Sequence, residues 1–267
     1  MDIAITDREF GHFRGLLEKT AGITLGSAKK ALVCGRLAKR LRHHQLKSFD
    51  AYYRLITSGR EPGEMQLAID LLTTNETYFF REPQHFELLR HTVLKTFGRG
   101  TSCRVWSAAS SSGEEPYSLA MTLDDVLGPG AWELLGSDIS MRMLEQAQQA
   151  RYSMERSQGI PHNYLQRYCL KGIGSQTGTL MIERTLRNRV QFRQINLNQA
   201  LPEIGMFDIV FLRNVLIYFD LEMKQHVIER IATRLKPGGW LFIGHSESLN
   251  GITTNLQQQQ PTIYRKL

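Results

Sequence analysis

The chain has 267 residues, 33 Lys+Arg against 26 Asp+Glu, and an apolar share of 42%. That length fits one large domain or a domain with a smaller partner, and the apolar share permits a packed core. No run approaches the ~18 apolar residues of a membrane span, and the opening MDIAITDREF lacks the apolar stretch of a secretory signal. Cys34, Cys103 and Cys169 are odd in number and far apart. They argue against a disulfide framework or a zinc site and for a reducing, cytosolic address.

The net charge of +7 belongs to one end. Residues 1–60 hold twelve Lys/Arg and five Asp/Glu, whereas the remainder holds 21 of each. Seven basic residues and no acid lie between Lys29 and Lys47, the pattern expected of a docking surface for something acidic.

In chain order, residues 5–58 have apolar side chains at helical spacing: Phe10, Phe13, Leu16 and Leu17, then Leu32, Val33, Leu37 and Leu41. Gly22 and Gly26 mark a break, and Gly59 with Pro62-Gly63 closes the block. A helix over 64–72 leads into TTNETYFFREPQHF, with Pro83 placed for the first turn of a helix reaching Thr96. From residue 103 strand and helix alternate. CRVWSA, WELLGSDI, FDIVFLRN and WLFIG read as strands and TIYRKL as a last one; EEPYSLAMTLDDVL, residues 140–150 and LEMKQHVIERIATRL read as helices. Lys236-Pro237-Gly238-Gly239 is expected to stop the last helix. This rhythm predicts a mostly parallel sheet covered by helices. Residues 152–190 interrupt it with a polar helix, His162–Tyr168, and the glycine-rich KGIGSQTG between apolar runs, which predicts a small inserted β-hairpin module. Gln257–Gln260 is too short a tract to interpret.

Ligands of doubly wound sheets sit beyond the carboxyl ends of the strands. After the first strand comes Ser107-Ala108-Ala109-Ser110-Ser111-Ser112-Gly113, a small-residue loop running into a helix and followed by Glu114 and Glu115. Carboxylates there disfavour a pyrophosphate and suit a cationic or amino-bearing ligand, or else they complement the helix dipole. Asp138, 25 residues beyond Gly113, stands where a ribose-binding acid would, or caps the next helix. Asn196-Leu197 can meet an adenine edge, and Arg213-Asn214 with Tyr218 end the next strand. Together these signals describe an S-adenosylmethionine pocket.

At this point the chain resembles the chemotaxis receptor methyltransferases, the CheR family. The resemblance rests on TTNETYFFRE, RVWSAASSSGEEPYSLA, GSDIS, LQRY, FLRNVLIYFD, LKPGGWLFIGHSE and the terminal TIY, in that order. It implies a class I S-adenosylmethionine-dependent α/β methyltransferase fold, Rossmann-like and doubly wound, over 86–267. An all-α N-terminal domain (1–70), a linker (71–85) and an inserted antiparallel β-subdomain (152–190) would accompany it. It implies cofactor contacts at Asn75, Thr77, Arg81, Glu115, Asp138, Asn196, Leu197, Arg213 and Asn214, with Arg81 and Tyr218 nearest the methyl transfer. The cofactor would be S-adenosylmethionine, leaving as S-adenosylhomocysteine, with no metal. Partners would be the cytoplasmic signalling helices of chemoreceptors, met by Lys29, Arg36, Lys39, Arg40 and Arg42. The resemblance also admits a receptor C-terminal tail at the β-subdomain as a further partner, the loop's glycines being equally compatible with plain turns. No nucleic acid or membrane insertion is expected.

Competing accounts have Arg81 paired with Glu82 or Glu87 on a helix surface and Tyr218 as a core aromatic. A nucleic-acid methyltransferase would want an Asn-Pro-Pro-Tyr type motif, but the stretch is Asn214-Val215-Leu216-Ile217-Tyr218. A cofactor-binding docking protein without turnover is the non-enzymatic alternative. Gly244-His245-Ser246-Glu247-Ser248 lacks the closing glycine of a nucleophile elbow, and His43-His44 point apart on a helix.

Overall fold

The computed structural model describes residues 3–98 and 101–267; Met1 and Asp2 of the opening segment lie outside them. Four helices come first: α1 (Asp7–Ala21), α2 (Lys30–His43), α3 (Phe49–Thr57) and α4 (Glu64–Leu72). Thr6 and Glu9 start α1 with a reciprocal capping box. The periodic apolar residues of α1 and α2 meet Phe49, Tyr52, Ile56, Ala68 and Leu72 in one core. α4 runs two residues past the expected boundary at 70, and α5 (Pro83–Leu88) starts with its proline in the first turn and continues as tighter and wider turns to Thr96.

The second domain alternates as expected through β1 (Cys103–Ser107), α6 (Glu114–Leu127), β2 (Trp132–Asp138) and α7 (Met141–Gln149). The insert follows: β3 (Arg151–Ser153), α8 (His162–Tyr168), β4 (Cys169–Lys171), β5 (Thr179–Ile182) and α9 (Arg184–Arg187). Its three strands pair antiparallel in the order β3-β5-β4. The KGIGSQTG hairpin joins β4 to β5, and β3 adds a strand the hairpin expectation lacked. Val190 already lies in β6 (Val190–Gln194), which pairs with β2 and belongs to the main sheet.

The chain closes with β7 (Phe207–Leu212), α10 (Leu221–Arg234), β8 (Leu235–Ile243), β9 (Leu256–Gln260) and β10 (Ile263–Lys266). The large sheet runs β6-β2-β1-β7-β8-β10-β9, parallel through β8 and antiparallel for the last two strands. Alternate residues face opposite layers: Val105, Ile209, Phe211 and Phe242 pack on one side, Trp106, Val210, Leu212 and Leu241 on the other. Lys236–Gly239 does not lie between helix and strand as expected. It is the start of β8, admitted by an irregular register in which Phe207 faces Leu235 and Ile209 faces Trp240. Strand order reverses between β1 and β7, which makes their carboxyl ends the natural ligand position.

Helices α2, α3 and α4 are tied by one buried carboxylate. Glu64 accepts from Arg40 Nε (2.8 Å) and Nη2 (2.7 Å) and from the Tyr52 hydroxyl (2.8 Å), with His44 Nε2 at 3.2 Å. Burial alone would raise its pKa, but Arg40, Tyr52 and His44 outweigh that and hold it at about 2. Arg40 is thus internal, and the expectation that it docks a partner is corrected. Because the folded pKa is depressed, the stability Glu64 contributes is complete above pH 4.5 and fades as the pH falls toward 2. Glu64→Ala, which leaves Arg40 without its carboxylate, is expected to cost about 3 kcal/mol; denaturant unfolding at pH 7 and at pH 3 should show that loss shrinking in acid.

Candidate functional site

The loop after β1 is shaped by backbone bonds. Ala108 N–H donates to Phe211 O (2.8 Å) and Ser110 N–H to Ser137 O (2.8 Å). Ser111 has φ 47° and Gly113 φ 97°. A Cβ at Gly113 would stand 2.8 Å from both Ala147 Cβ and the Tyr152 hydroxyl, so no larger residue fits there. Asp138, at the end of β2, accepts from the backbone N–H of Ser111 (2.8 Å) and Ser140 (2.9 Å). Burial pushes its pKa up, and those two bonds oppose the rise. Asp138 thus steadies the turn into α7, whose N-cap is Ser140, and it also lines the crevice.

Glu115 and Arg213 pair across the top of β1 and β7, Nε to Oε2 at 3.1 Å, and Ser107 Oγ donates to Glu115 at 2.7 Å. Burial raises Glu115, with Arg213 the largest opposing influence. Arg213 also donates to the carbonyl of Arg81 (2.6 Å) and to His85 Nδ1 (3.3 Å). Glu82 Oε1 accepts from Asn214 Nδ2 and from His245 N–H, both at 3.1 Å. Burial works against ionising Glu82, yet Arg213 and Asn214 keep its pKa below the usual value.

His85 Nε2 meets Thr262 Oγ1 at 2.9 Å, and that hydroxyl donates to Pro261 O. His85 therefore carries its proton on Nε2 and accepts at Nδ1; burial holds it neutral, with a pKa near 3. Glu82, His85 and His245 bring three ligand-capable atoms within 4.8 Å of one another. The Arg213 guanidinium lies 3.3 Å from His85 Nδ1 and 3.8 Å from Glu82 Oε2.

All nine expected cofactor residues and Tyr218 line a single crevice between the domains. The loop contributes from one side and the 73–81 connector from the other, where the Asn75 carbonyl accepts from Ser111 Oγ at 3.1 Å. Arg81 precedes α5 and is half-buried, its Nη1 donating to Glu76 O at 2.9 Å. Among the described residues no carboxylate pairs with it, so neither Glu82 nor Glu87 takes the role a surface helix would have given them. Tyr218 ends a short turn, Leu216–Tyr218. Burial pushes its pKa up while Arg81 pulls it down, and the hydroxyl stays protonated at neutral pH.

The Asn196 amide was expected on an adenine edge. Its Nδ2 donates instead to Thr20 O (2.6 Å) and its Oδ1 accepts from Asn198 N–H (2.9 Å). Leu197 beside it is buried, and its carbonyl accepts from Arg230.

Of the basic residues assigned to docking, Lys29 lines the crevice and is exposed, and Lys39 and Arg42 are exposed on α2. Arg36 caps α4 by donating to Leu72 O and Thr73 O, both at 2.9 Å. Nothing in the sequence pattern marked Ile23–Gly26 as crevice wall, although Gly22 and Gly26 flagged the break there. Glu247 was also missed. Its buried carboxylate accepts from the backbone N–H of Gly244 (2.6 Å), Asn214 (2.9 Å) and Ile217 (3.3 Å). It thereby holds the turn in which Asn214 sits at φ 58°. Glu247→Ala is expected to raise amide hydrogen exchange at Asn214 and Ile217 about tenfold or more while β8 stays protected; unchanged protection of those amides would refute the anchoring role.

Two family descriptions match consecutive parts of the chain: "CheR methyltransferase, all-alpha domain" over residues 8–73 and "CheR methyltransferase, SAM binding domain" over residues 75–265. The chain is 40% identical to a chemotaxis protein methyltransferase of Escherichia coli, an alignment covering 98% of this chain and 92% of that one. It is 40% identical to chemotaxis protein methyltransferase 2 of Pseudomonas aeruginosa, over 97% of this chain and 93% of the relative. With both of its domains matched in order and relatives of this similarity along nearly its whole length, the chain belongs to the CheR methyltransferase family.

Proposed function

We propose that the interdomain crevice binds S-adenosylmethionine and that the protein transfers its methyl group to glutamate carboxylates of bacterial chemoreceptors, forming methyl esters. The observation that carries this reading is the convergence of the nine cofactor candidates and Tyr218, drawn from five stretches of the chain (75–81, 115, 138, 196–197 and 213–218), on one crevice at the β1/β7 switch point. The residues fit the cofactor chemically. Asp138 offers a carboxylate for a ribose diol, Ala108 and Ala109 leave backbone accessible, and Glu115 with Asp138 supplies acidic surroundings for a cationic amino acid moiety.

Bound S-adenosylmethionine supplies an electrophilic methyl group. The nucleophile is a substrate carboxylate, ionised at neutral pH because its reference pKa is about 4.3. No general base is required. What this chain adds is alignment and exclusion of water. The Arg81 guanidinium, which has no carboxylate partner among the described residues, orients the incoming carboxylate, and the protonated hydroxyl of Tyr218 donates to one of its oxygens. Asn214, an amide that a nucleic-acid methyltransferase would turn toward a base, is bound to Glu82.

Lys39 and Arg42 extend the crevice's positive side along α2 toward an acidic receptor helix. At the far end, β4 is an edge of the small sheet, and Leu170 and Ile173 there are 53% and 82% exposed. A receptor tail added as a further strand would cover them.

Radiolabelled S-adenosylmethionine and receptor-containing membranes should give base-labile methanol; no transfer from a folded, cofactor-binding sample overturns the function. Arg81→Ala is expected to lower kcat about 10²–10³-fold, with Lys a poor replacement, and Tyr218→Phe about tenfold at unchanged cofactor affinity. Replacing Lys39 and Arg42 with Glu should raise the receptor KM about tenfold at low salt and progressively less as salt increases, with cofactor binding unaltered. Equal loss of cofactor affinity would assign these side chains to folding instead.

A further inference from the structure

The inserted subdomain reaches back to the crevice loop through Arg156, in the turn Met154–Gly159. Its Nη2 donates to the carbonyl of Thr77 (3.1 Å) and to Ser112 Oγ (3.4 Å), and it forms an ion pair with Glu114. The Glu114 side chain is fully buried, and its other oxygen accepts from Ser112 Oγ at 2.7 Å. Burial pushes Glu114 up in pKa, with Ser112 and Arg156 opposing.

Two neighbours in the same module press on the same place. The Tyr152 hydroxyl donates to Ser112 O at 2.8 Å, and its ring meets Phe79 edge-on at 5.0 Å. A Cβ at Gly159 would stand 2.1 Å from Phe79 O. One guanidinium thus bridges the connector, the crevice loop and the start of α6. Thr77, Ser111 and Glu115 line the crevice, whereas Arg156 stands behind them. A loop of small residues has few side chains with which to fix its own shape, and Ser111 holds φ 47° within it.

We propose that Arg156 is a positioning residue for the cofactor: by bridging Thr77, Ser112 and Glu114 it ties the inserted subdomain to the 107–113 loop and sets cofactor affinity. The module is then part of the cofactor site as well as a candidate docking surface. This rests on the reading that the loop and Asp138 hold the cofactor.

Calorimetric titration of the full chain with S-adenosylhomocysteine tests it, using wild type, Arg156→Ala, Arg156→Ala with Glu114→Gln, and Asp138→Asn. Arg156→Ala should bind at least tenfold more weakly and show a raised KM for the cofactor, with a much smaller change in kcat at saturation. The double variant leaves no unpaired buried carboxylate. It should regain the wild-type melting temperature yet still bind several-fold more weakly, because the bridge is missing. Should Arg156→Ala fail to fold, the double variant carries the comparison. Wild-type affinity in the double variant, with binding lost in Asp138→Asn, overturns the positioning role alone. Wild-type affinity in Asp138→Asn overturns the cofactor placement beneath it.

Discussion

The reaction end of the crevice depends on one buried guanidinium. Arg213, its side chain 1% exposed, joins the end of β7 to Glu115 at the start of α6, to Glu82 and His85 around α5, and to the carbonyl of Arg81. Two carboxylates so close together would repel and take up protons in a dry interior. Arg213 between them opposes that, and its attraction to both draws the connector onto the sheet. Breaking such a group from one side is costly, because the charges left behind are far from water. Arg81 is therefore fixed through its backbone, while its guanidinium, bonded to Glu76 O, has no carboxylate partner among the described residues.

The site is a product of two domains. Thr24 N–H donates to Tyr218 O (2.9 Å), Asn196 Nδ2 to Thr20 O, and Asn198 Nδ2 to Lys19 O. These bonds press the α1–α2 connection against the loops after β6 and β7, so that Ile23–Gly26 walls the crevice. Gln66 Nε2 to Ile139 O (3.0 Å) and Arg142 N–H to Asp70 (3.3 Å) do the same from α4. The helical domain thereby places Lys29 in the crevice wall, while Lys39 and Arg42 are exposed on α2.

Much of this was legible in the sequence because the relevant signals are local. α6 occupies EEPYSLAMTLDDVL between its two glycines, and α8 spans the predicted His162–Tyr168. The β1, β2 and β7 strand ends delivered the candidate residues because parallel strands put their carboxyl ends on one side. What escaped had no local signature. Four consecutive glutamines form most of β9, an edge strand whose Gln257–Gln260 face solvent, so no apolar alternation marks it. Lys236-Pro237-Gly238-Gly239 has turn composition, and the neighbouring strand supplies the irregular register that admits it to β8. Arg36 and Arg40 looked like their exposed neighbours until α4 placed carbonyls and Glu64 beside them.

The electrostatics of the crevice then resolve an apparent conflict. Glu82, Glu115, Asp138 and Glu247, partly or fully buried, stand in or behind the site that on the proposed function receives the substrate's carboxylate. Each is answered from within the protein: Arg213 serves the first two, two backbone N–H groups serve Asp138, and three serve Glu247. Backbone donors neutralise nothing formally, but they stabilise the charge without placing a mobile cation in the crevice. Among the described residues Arg81 and Lys29 line the crevice with no carboxylate partner. On the proposed function, these two cations face an arriving glutamate, while the acids answered from within keep their structural tasks.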